Sequence, residues 1–413
     1  MRVALVSEHA SPLAAIGGVD SGGQNVHVAE LAAGLVQLGH DVSVYTRRDA
    51  ADLPDRVTTA AGYHVVHLSA GPAYPVPKDD LWVHMPTFAR QLHSHLVAAE
   101  PDLIHAHFWM SAWAGAEVAR HLDVPLLVTF HALGTVKQRH QGHADTSPHD
   151  RIRVETLIGR SAHRIIATCR DEVTELARMS IRPEKISVVP CGVDIEHFAP
   201  APAAIKSHPQ GAPLQLLSVG RLVPRKGIGS IIEAMSRLPG VELVIAGGDL
   251  DADPASESER DRLLTLARRH GVARQIRLIG RVSRADMPAL LRAADVVVCA
   301  PWYEPFGIVP LEAMACGVPV VGTAVGGLLD SVADGSSGLL VPPRDPEAIA
   351  QAVKTLQDDP IRRAEFGRAG RERALSLFSW ERVVAATNAI YDDCVRPLDA
   401  QGAVAQATRP TRR

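Results

Sequence analysis

At 413 residues the chain is longer than one ordinary core supports and long enough for two domains with sizeable apolar interiors. Hydrophobic residues make up 46% and charged residues 22%, ordinary globular values that exclude a disordered or fibrous chain. The net charge of -3 excludes a global electrostatic drive toward nucleic acid or an anionic membrane, so any polyanionic partner has to be small. Five cysteines (Cys169, Cys191, Cys299, Cys316 and Cys394) with no CxxC pair suggest neither a disulfide framework nor a zinc ribbon. Reduced thiols and a cytoplasmic location are expected. The opening MRVALVSEHA is too short for a signal-peptide core, and no apolar run reaches the roughly 18 to 20 residues a membrane helix needs, so membrane contact would have to be peripheral.

In chain order, VALVS predicts a buried strand, followed by the loop EHASPLAAIGGVDSGG. NVHVAELAAGLVQLGH then predicts a helix, with Val26, Ala29, Ala33 and Val36 at helical spacing and Gly39 with His40 as the stop before the strand VSVYT. Gly22 and Gly23 directly precede this helix, where bare backbone N–H groups suit a phosphate; a plain tight turn reads the same way. The spacing is not GxGxxG, and Tyr45-Thr46-Arg47 lacks the acidic residue that would hold an NAD ribose, which demotes a dinucleotide oxidoreductase.

Strand and helix patterns continue through DLIHAH, a helix around Ser111 to His121, PLLVTF, RIIATC and DEVTELARM, implying a parallel sheet. His105 and His107 point to one face of their strand, with His131, His140 and His143 downstream; their spacing matches no compact metal motif, so no metal is expected. His131, ending PLLVTF, is placed at a cleft. The segment APAPAAIKSHPQGAP after Phe198 reads as a linker.

A second series follows: LQLLSV, VELVIAG, IRLIG, DVVVCA and PVVG, separated by helical segments such as GSIIEAMSRL and ADMPALLRAA. In open parallel sheets the ligand sits beyond the carboxyl ends of the strands, so two such domains facing each other put the site between them. GRLVPRKG places Arg221 and Lys226 around a turn at a strand end, cations suited to a diphosphate leaving group, with Arg225 solvated; a surface basic turn is the alternative. In PWYEPFGIVPLEAMACG a helix is predicted from about Pro310, with Glu304 on the preceding loop and Glu312 in the first turn. The N–H groups of Phe306, Gly307 and Ile308 face a hydroxyl or phosphate there, and the two carboxylates serve either as helix caps or as a functional pair. The expected domains are 1–198 and 199–378, a C-terminal helix over 379–395 and a disordered tail over 396–413.

Together, GGQNVHVAELAAGLVQLGHDVSVYTR, TFHALG, VVPCGVD, SVGRLVPRKG and EPFGIVPLEAMACGVPVVGTAVGG resemble the retaining glycosyltransferases of the GT-B fold, in the group 1 or family four branch. The last stretch contains that family's Glu-x7-Glu motif. The resemblance implies an α/β protein of two doubly wound Rossmann-like domains facing across a cleft. It implies a transferase moving a hexose from a nucleotide-diphosphate sugar, a UDP-sugar favoured, to a small hydroxyl acceptor with retention. The nucleotide sugar is a co-substrate, and no cofactor is implied.

Carried over by this resemblance, Arg221 and Lys226 bind the diphosphate, Glu312 the ribose, and Glu304 with Phe306, Gly307 and Ile308 the donor sugar. Gly22 and Gly23 approach the phosphate, His131 contacts the sugar, and Arg281 lies beside the base. The C-terminal helix crosses back to the first domain. The chain is also similar to the inositol-3-phosphate glycosyltransferases of mycothiol synthesis and to sucrose-phosphate synthases. Lys78 and Arg151 sit where the inositol-phosphate enzymes use cations on the acceptor phosphate. Phe108 and Ala132, however, replace a tyrosine and a threonine, removing two hydrogen bonds of about 1 kcal/mol each. A phosphorylated sugar or cyclitol, or a neutral acceptor, stays open. So do a same-fold nucleotide-sugar epimerase, a catalytically silent nucleotide-sugar-binding regulatory protein, and a homodimeric assembly.

Overall fold

The structure is a computed structural model that describes residues 1–14, 22–201, 212–248 and 254–395. The predicted tail, most of the predicted linker and part of the first glycine loop lie outside the described residues.

Residues up to Val188 supply an eight-stranded sheet: β1 (Arg2–Val6), β2 (Asp41–Arg47), β3 (Arg56–Thr58), β4 (His64–Leu68), β5 (Leu103–His107), β6 (Leu126–Thr129), β7 (Arg164–Ala167) and β8 (Ile186–Val188). Its order is β3-β4-β2-β1-β5-β6-β7-β8, parallel apart from the β3–β4 pair. The central strands are apolar on both faces because helices cover both. Val3 and Leu5 of β1 join Leu31 and Leu35 on one side, while Ala4 and Val6 join Phe88, Leu92 and Trp109 on the other.

A second sheet holds β9 (Leu214–Val219), β10 (Val241–Ala246), β11 (Ile276–Gly280), β12 (Val296–Cys299), β13 (Val320–Thr323) and β14 (Gly338–Val341). The order β11-β10-β9-β12-β13-β14 is parallel throughout.

Both sheets are doubly wound, with the strand order reversing between β1 and β5 in the first and between β9 and β12 in the second. These are the crevices where the carboxyl ends of strands splay apart and a ligand can enter. The Trp380–Val395 helix packs on the Gly23–Gln37 helix of the first domain, where His40 Nε2 meets Asn388 Oδ1 at 2.7 Å and Tyr391 Oη meets His105 Nδ1 at 2.7 Å.

Three sequence expectations need correction. In the first helix, the most deeply buried apolar residues are Val28, Leu31, Ala32 and Leu35, whereas Val26, Ala29, Ala33 and Val36 are half-buried. Two neighbours, the sheet and the C-terminal helix, widen the buried stripe beyond one spacing set. Strands β3, β4, β8 and β14 do not stand out in the sequence: β3 and β8 are three residues each and lie toward the sheet edge, where few apolar contacts are required. The helix after Glu304 spans Ile308–Ala315, so Glu312 lies in its second turn. Pro310 is its third residue, a position whose missing N–H would have no intrahelical acceptor anyway.

Candidate functional site

The carboxyl ends of the two sheets converge on one cavity of about 690 Å³, lined by His131, Ala132, Lys78, Phe108, Arg151, Gly22 and Gly23 from the first domain. Arg221, Lys226, Arg281, Glu304, Phe306, Gly307, Ile308 and Glu312 line it from the second. All fifteen residues given a catalytic, donor or acceptor expectation from the sequence therefore line one cavity, although they span the chain from position 22 to 312.

On the second domain, β9 runs into Arg221 and then the turn Pro224–Lys226, and β12 runs into the Glu304 loop. Gly227 clasps the two together: at φ +68° a Cβ there would drive into the Ala300 carbonyl, so only glycine permits the approach. Lys226 Nζ thereby reaches Glu304 Oε2 at 2.5 Å. Burial opposes the Glu304 charge, but the Lys226 ammonium, the Arg225 guanidinium and the Phe306 N–H outweigh it and hold the carboxyl below its usual range. Glu304 is thus an ionised acceptor for hydroxyls.

Two details differ from expectation here. The Phe306 N–H is taken by Glu304, leaving Gly307 and Ile308 as the helix-start donors without an intrahelical acceptor. Arg225 is not simply solvated: its guanidinium lies 5.3 Å from the Tyr303 ring centroid and it lines the cavity. Glu312 behaves differently from Glu304. Burial raises its pKa to about 7, with Arg284 only partly offsetting the effect. Arg284 itself bonds Glu30 of the first domain at 3.2 Å.

From the first domain, Gly23 starts the helix behind the cavity, and a Cβ there would fall 2.8 Å from Ile308 Cδ1 and 3.4 Å from the Phe306 ring. The glycine is needed for this cross-domain approach. The Gly22 N–H already bonds Asn25 Oδ1 at 2.9 Å. His131 follows β6 with φ +62° and its Nε2 lies 2.9 Å from His107 Nδ1. Its Nδ1 is buried without a hydrogen-bond partner among the described residues. Burial, then neighbouring His27, His105 and His9, pushes its pKa well below normal, so it is a neutral hydrogen-bonding group. Among the described residues no group of three His, Cys, Asp or Glu side chains is arranged to hold a metal ion.

The opposite wall centres on Phe108, which follows β5 with φ +80°. Lys78 Nζ and Arg151 Cζ lie 5.5 Å and 5.1 Å from its ring centroid. Arg151 was expected as a ligand cation, yet it is 2% exposed. It donates to Glu155 at 2.8 Å, Ser147 at 3.1 Å and the Ala132 carbonyl at 2.7 Å. Glu155 is wholly buried and accepts the Gly134 N–H as well.

The sequence reading missed Lys137, Gln141, Tyr303 and the pair Glu8–His9. Lys137 bridges Asp79 at 3.1 Å and Asp145 at 3.0 Å. Gln141 Nε2 bonds the Tyr303 hydroxyl across the domains. Buried Glu8 accepts from His9 Nδ1 at 2.6 Å and from the Ser111 hydroxyl, and His9 lines the cavity edge-on to Phe108, 4.8 Å between ring centroids. The available signal for Glu8 and His9 was position: they follow β1 at the point of strand reversal.

Comparison with known proteins agrees with this architecture. Residues 203–373 match the family described as glycosyl transferases group 1, and residues 21–197 match glycosyltransferase family 4. The chain is similar to the D-inositol 3-phosphate glycosyltransferase of Kineococcus radiotolerans, 37% identical with 97% of each chain covered. It is equally similar to D-inositol 3-phosphate glycosyltransferase 2 of Catenulispora acidiphila, 37% identical over 97% of this chain and 96% of the other. Among solved structures, sucrose-phosphate synthase from Thermosynechococcus elongatus superposes with a TM-score of 0.87 at 32% identity, covering 95% of this chain and 98% of that one. HepE from Anabaena, solved with UDP and glucose, shares the fold at a TM-score of 0.73 and 21% identity, covering 94% of this chain and 99% of that one.

Proposed function

Because the chain belongs to the group 1 and family 4 glycosyltransferases, we propose that it moves a hexosyl group from a nucleoside-diphosphate sugar, a UDP-sugar first, to a small hydroxyl acceptor with retention at the anomeric carbon. The observation that carries this reading is the Lys226–Glu304 pair at the convergent strand ends. A cation and an ionised carboxylate sit side by side, one suited to a leaving diphosphate and the other to sugar hydroxyls.

Arg221 and Lys226 offset the charge that grows on the departing diphosphate, an effect of a few kcal/mol per well-placed donor. Glu304 and the N–H groups of Gly307 and Ile308 orient the sugar, and Glu312 accepts the ribose hydroxyls. Neutral His131 offers a hydrogen bond to the sugar without placing a positive charge against the oxocarbenium-like carbon. The acceptor hydroxyl attacks on the face the diphosphate leaves and passes its proton to the departing phosphate oxygen, so no enzyme nucleophile is required. Enclosure between the two domains keeps water from the donor.

A thermal-shift series with UDP, GDP, ADP and their sugars tests the donor half, since a ligand bound to the folded state raises Tm by mass action. The expected result is stabilisation by one nucleotide series, followed by a glycosylated product when that donor meets a metabolite extract and the mixture is read by mass. Absence of stabilisation by every nucleotide would overturn the reading.

A further inference from the structure

We infer that the acceptor wall is built for an uncharged polyhydroxylated molecule rather than a phosphorylated one. The inference rests on the glycosyltransferase reading and names the acceptor class for that same cavity. Among the described residues three cations stand at this wall, Lys78, Lys137 and Arg151, and each already has an anion. Lys78 and Lys137 both reach Asp79, at 3.5 Å and 3.1 Å, Lys137 also reaches Asp145 at 3.0 Å, and Arg151 is locked to Glu155 at 2.8 Å. Three positive charges therefore meet three negative ones.

These pairs are held firmly. Asp79 is half-shielded, which opposes its charge, but Lys78, the Thr146 hydroxyl and Lys137 overcome that and lower its pKa to about 2. Arg151 has little freedom to turn toward a ligand, because doing so would strand Glu155, which is wholly buried. A phosphate carrying close to two negative charges would enter a wall whose described residues hold no excess positive charge, and would compete with carboxylates already in place. Phe108 supplies no hydroxyl to it, and Ala132 offers its carbonyl to Arg151 instead of a side-chain donor.

What the wall does present suits hydroxyls. His9 Nδ1 is committed to buried Glu8, which leaves Nε2 to hydrogen-bond a hydroxyl. Thr146, whose hydroxyl donates to Asp79, and Gln141, whose Nε2 bonds Tyr303, also line the cavity and keep oxygen acceptors for a ligand hydroxyl. A neutral polyol meets these groups without having to displace an ion pair.

The test is isothermal titration of myo-inositol and D-myo-inositol 3-phosphate into the protein, with and without UDP, repeated with Asp79→Asn. The asparagine keeps a hydrogen-bonding shape for Thr146 while releasing Lys78 and Lys137 from one carboxylate. The expected result is that the phosphorylated ligand binds the natural protein no tighter than the neutral one, and that Asp79→Asn improves its affinity at least tenfold with the neutral ligand unchanged. Binding of the phosphate ester to the natural protein ten times tighter than inositol would overturn the inference. So would an Asp79→Asn variant, folded by circular dichroism, that gains no affinity for it. Failure of UDP itself to bind would count against the donor reading, while both phosphate arms still report on the acceptor wall.

Discussion

The two walls of the cavity use charge in opposite ways. On the donor wall, Lys226 and Glu304 pair with each other within the lining, so each can turn part of its hydrogen-bonding capacity toward a ligand. On the acceptor wall the carboxylates of Asp79, Asp145 and Glu155 stand behind the lining and draw Lys78, Lys137 and Arg151 back toward the protein. The contrast follows from where the partners come from. The donor pair joins two strand-end loops of one sheet across a glycine clasp, whereas the acceptor cations are tied within helices and loops that pack as a core. The lesson is that a cation in a cavity wall is not by itself an anion site; its own counter-ion decides.

That contrast can be broken from either side. The largest effect is expected on the donor wall: Lys226→Ala should reduce kcat by about a thousandfold, equivalent to roughly 4 kcal/mol, with the far-UV spectrum unchanged. Near-normal turnover would remove Lys226 from the chemistry. On the acceptor wall, Glu155→Ala should act on stability first, because it leaves the Arg151 guanidinium buried without its counter-ion. A loss of about 3–5 kcal/mol and a Tm lower by at least about 5 °C are expected. A variant as stable as the parent would show that Arg151 is not a structural clamp.

A smaller effect sharpens the acceptor side. The double change Phe108→Tyr with Ala132→Thr introduces two hydroxyls and should raise kcat/KM for D-myo-inositol 3-phosphate by about thirtyfold or less, since each hydrogen bond contributes about 1 kcal/mol and the ion pairs behind it remain. A rise of several hundredfold would mean that those hydroxyls, and not the charge balance, set acceptor class.

The mildest prediction concerns Glu312. Its pKa is raised to about 7, and in the proposed reading ribose hydroxyls donate to the ionised form. Affinity for a UDP-sugar should therefore rise with pH up to about 7 and level off above it, losing at most about tenfold per pH unit below. The same shift means the folded protein holds this proton more tightly than the unfolded chain, so Glu312 subtracts stability as pH rises from about 4.5 to 7. Calorimetry across pH 5.5 to 8.5 checks the binding curve, and Glu312→Gln should flatten it; a pH-independent affinity in the parent would contradict the assigned contact.

Much of the donor wall was legible because its chemistry is local in sequence. Arg221 and Lys226 sit on one turn, and Glu304 to Glu312 on one loop and helix, each placed by a strand end that apolar runs such as DVVVCA announce. The two-sheet fold was legible for the same reason: buried parallel strands are continuous apolar runs with helices between them. Even so, the helix register there was misjudged, because Pro310 is as comfortable at the third helical residue as at the first. The acceptor wall was legible in residue types and not in their state. Nothing near Arg151 in sequence announces that its guanidinium would also meet the Ala132 carbonyl, and Lys137 meets Asp79 across 58 positions.

The sequence by itself determined the architecture and part of the cavity's lining: two doubly wound domains, cations and carboxylates at strand ends, and glycines where backbones must approach. Those features arise from apolar periodicity and short-range spacing, which a linear chain carries openly. Only the tertiary structure decided which charges are spent and which face the cavity. Glu8 meets Ser111 and His9 reaches the cavity because β1 and β5 lie side by side, and Arg225 lines the cavity with its guanidinium over the Tyr303 ring. Electrostatic state depends on distances between residues far apart in the chain and on how much water remains between them, and neither exists until the sheets have packed.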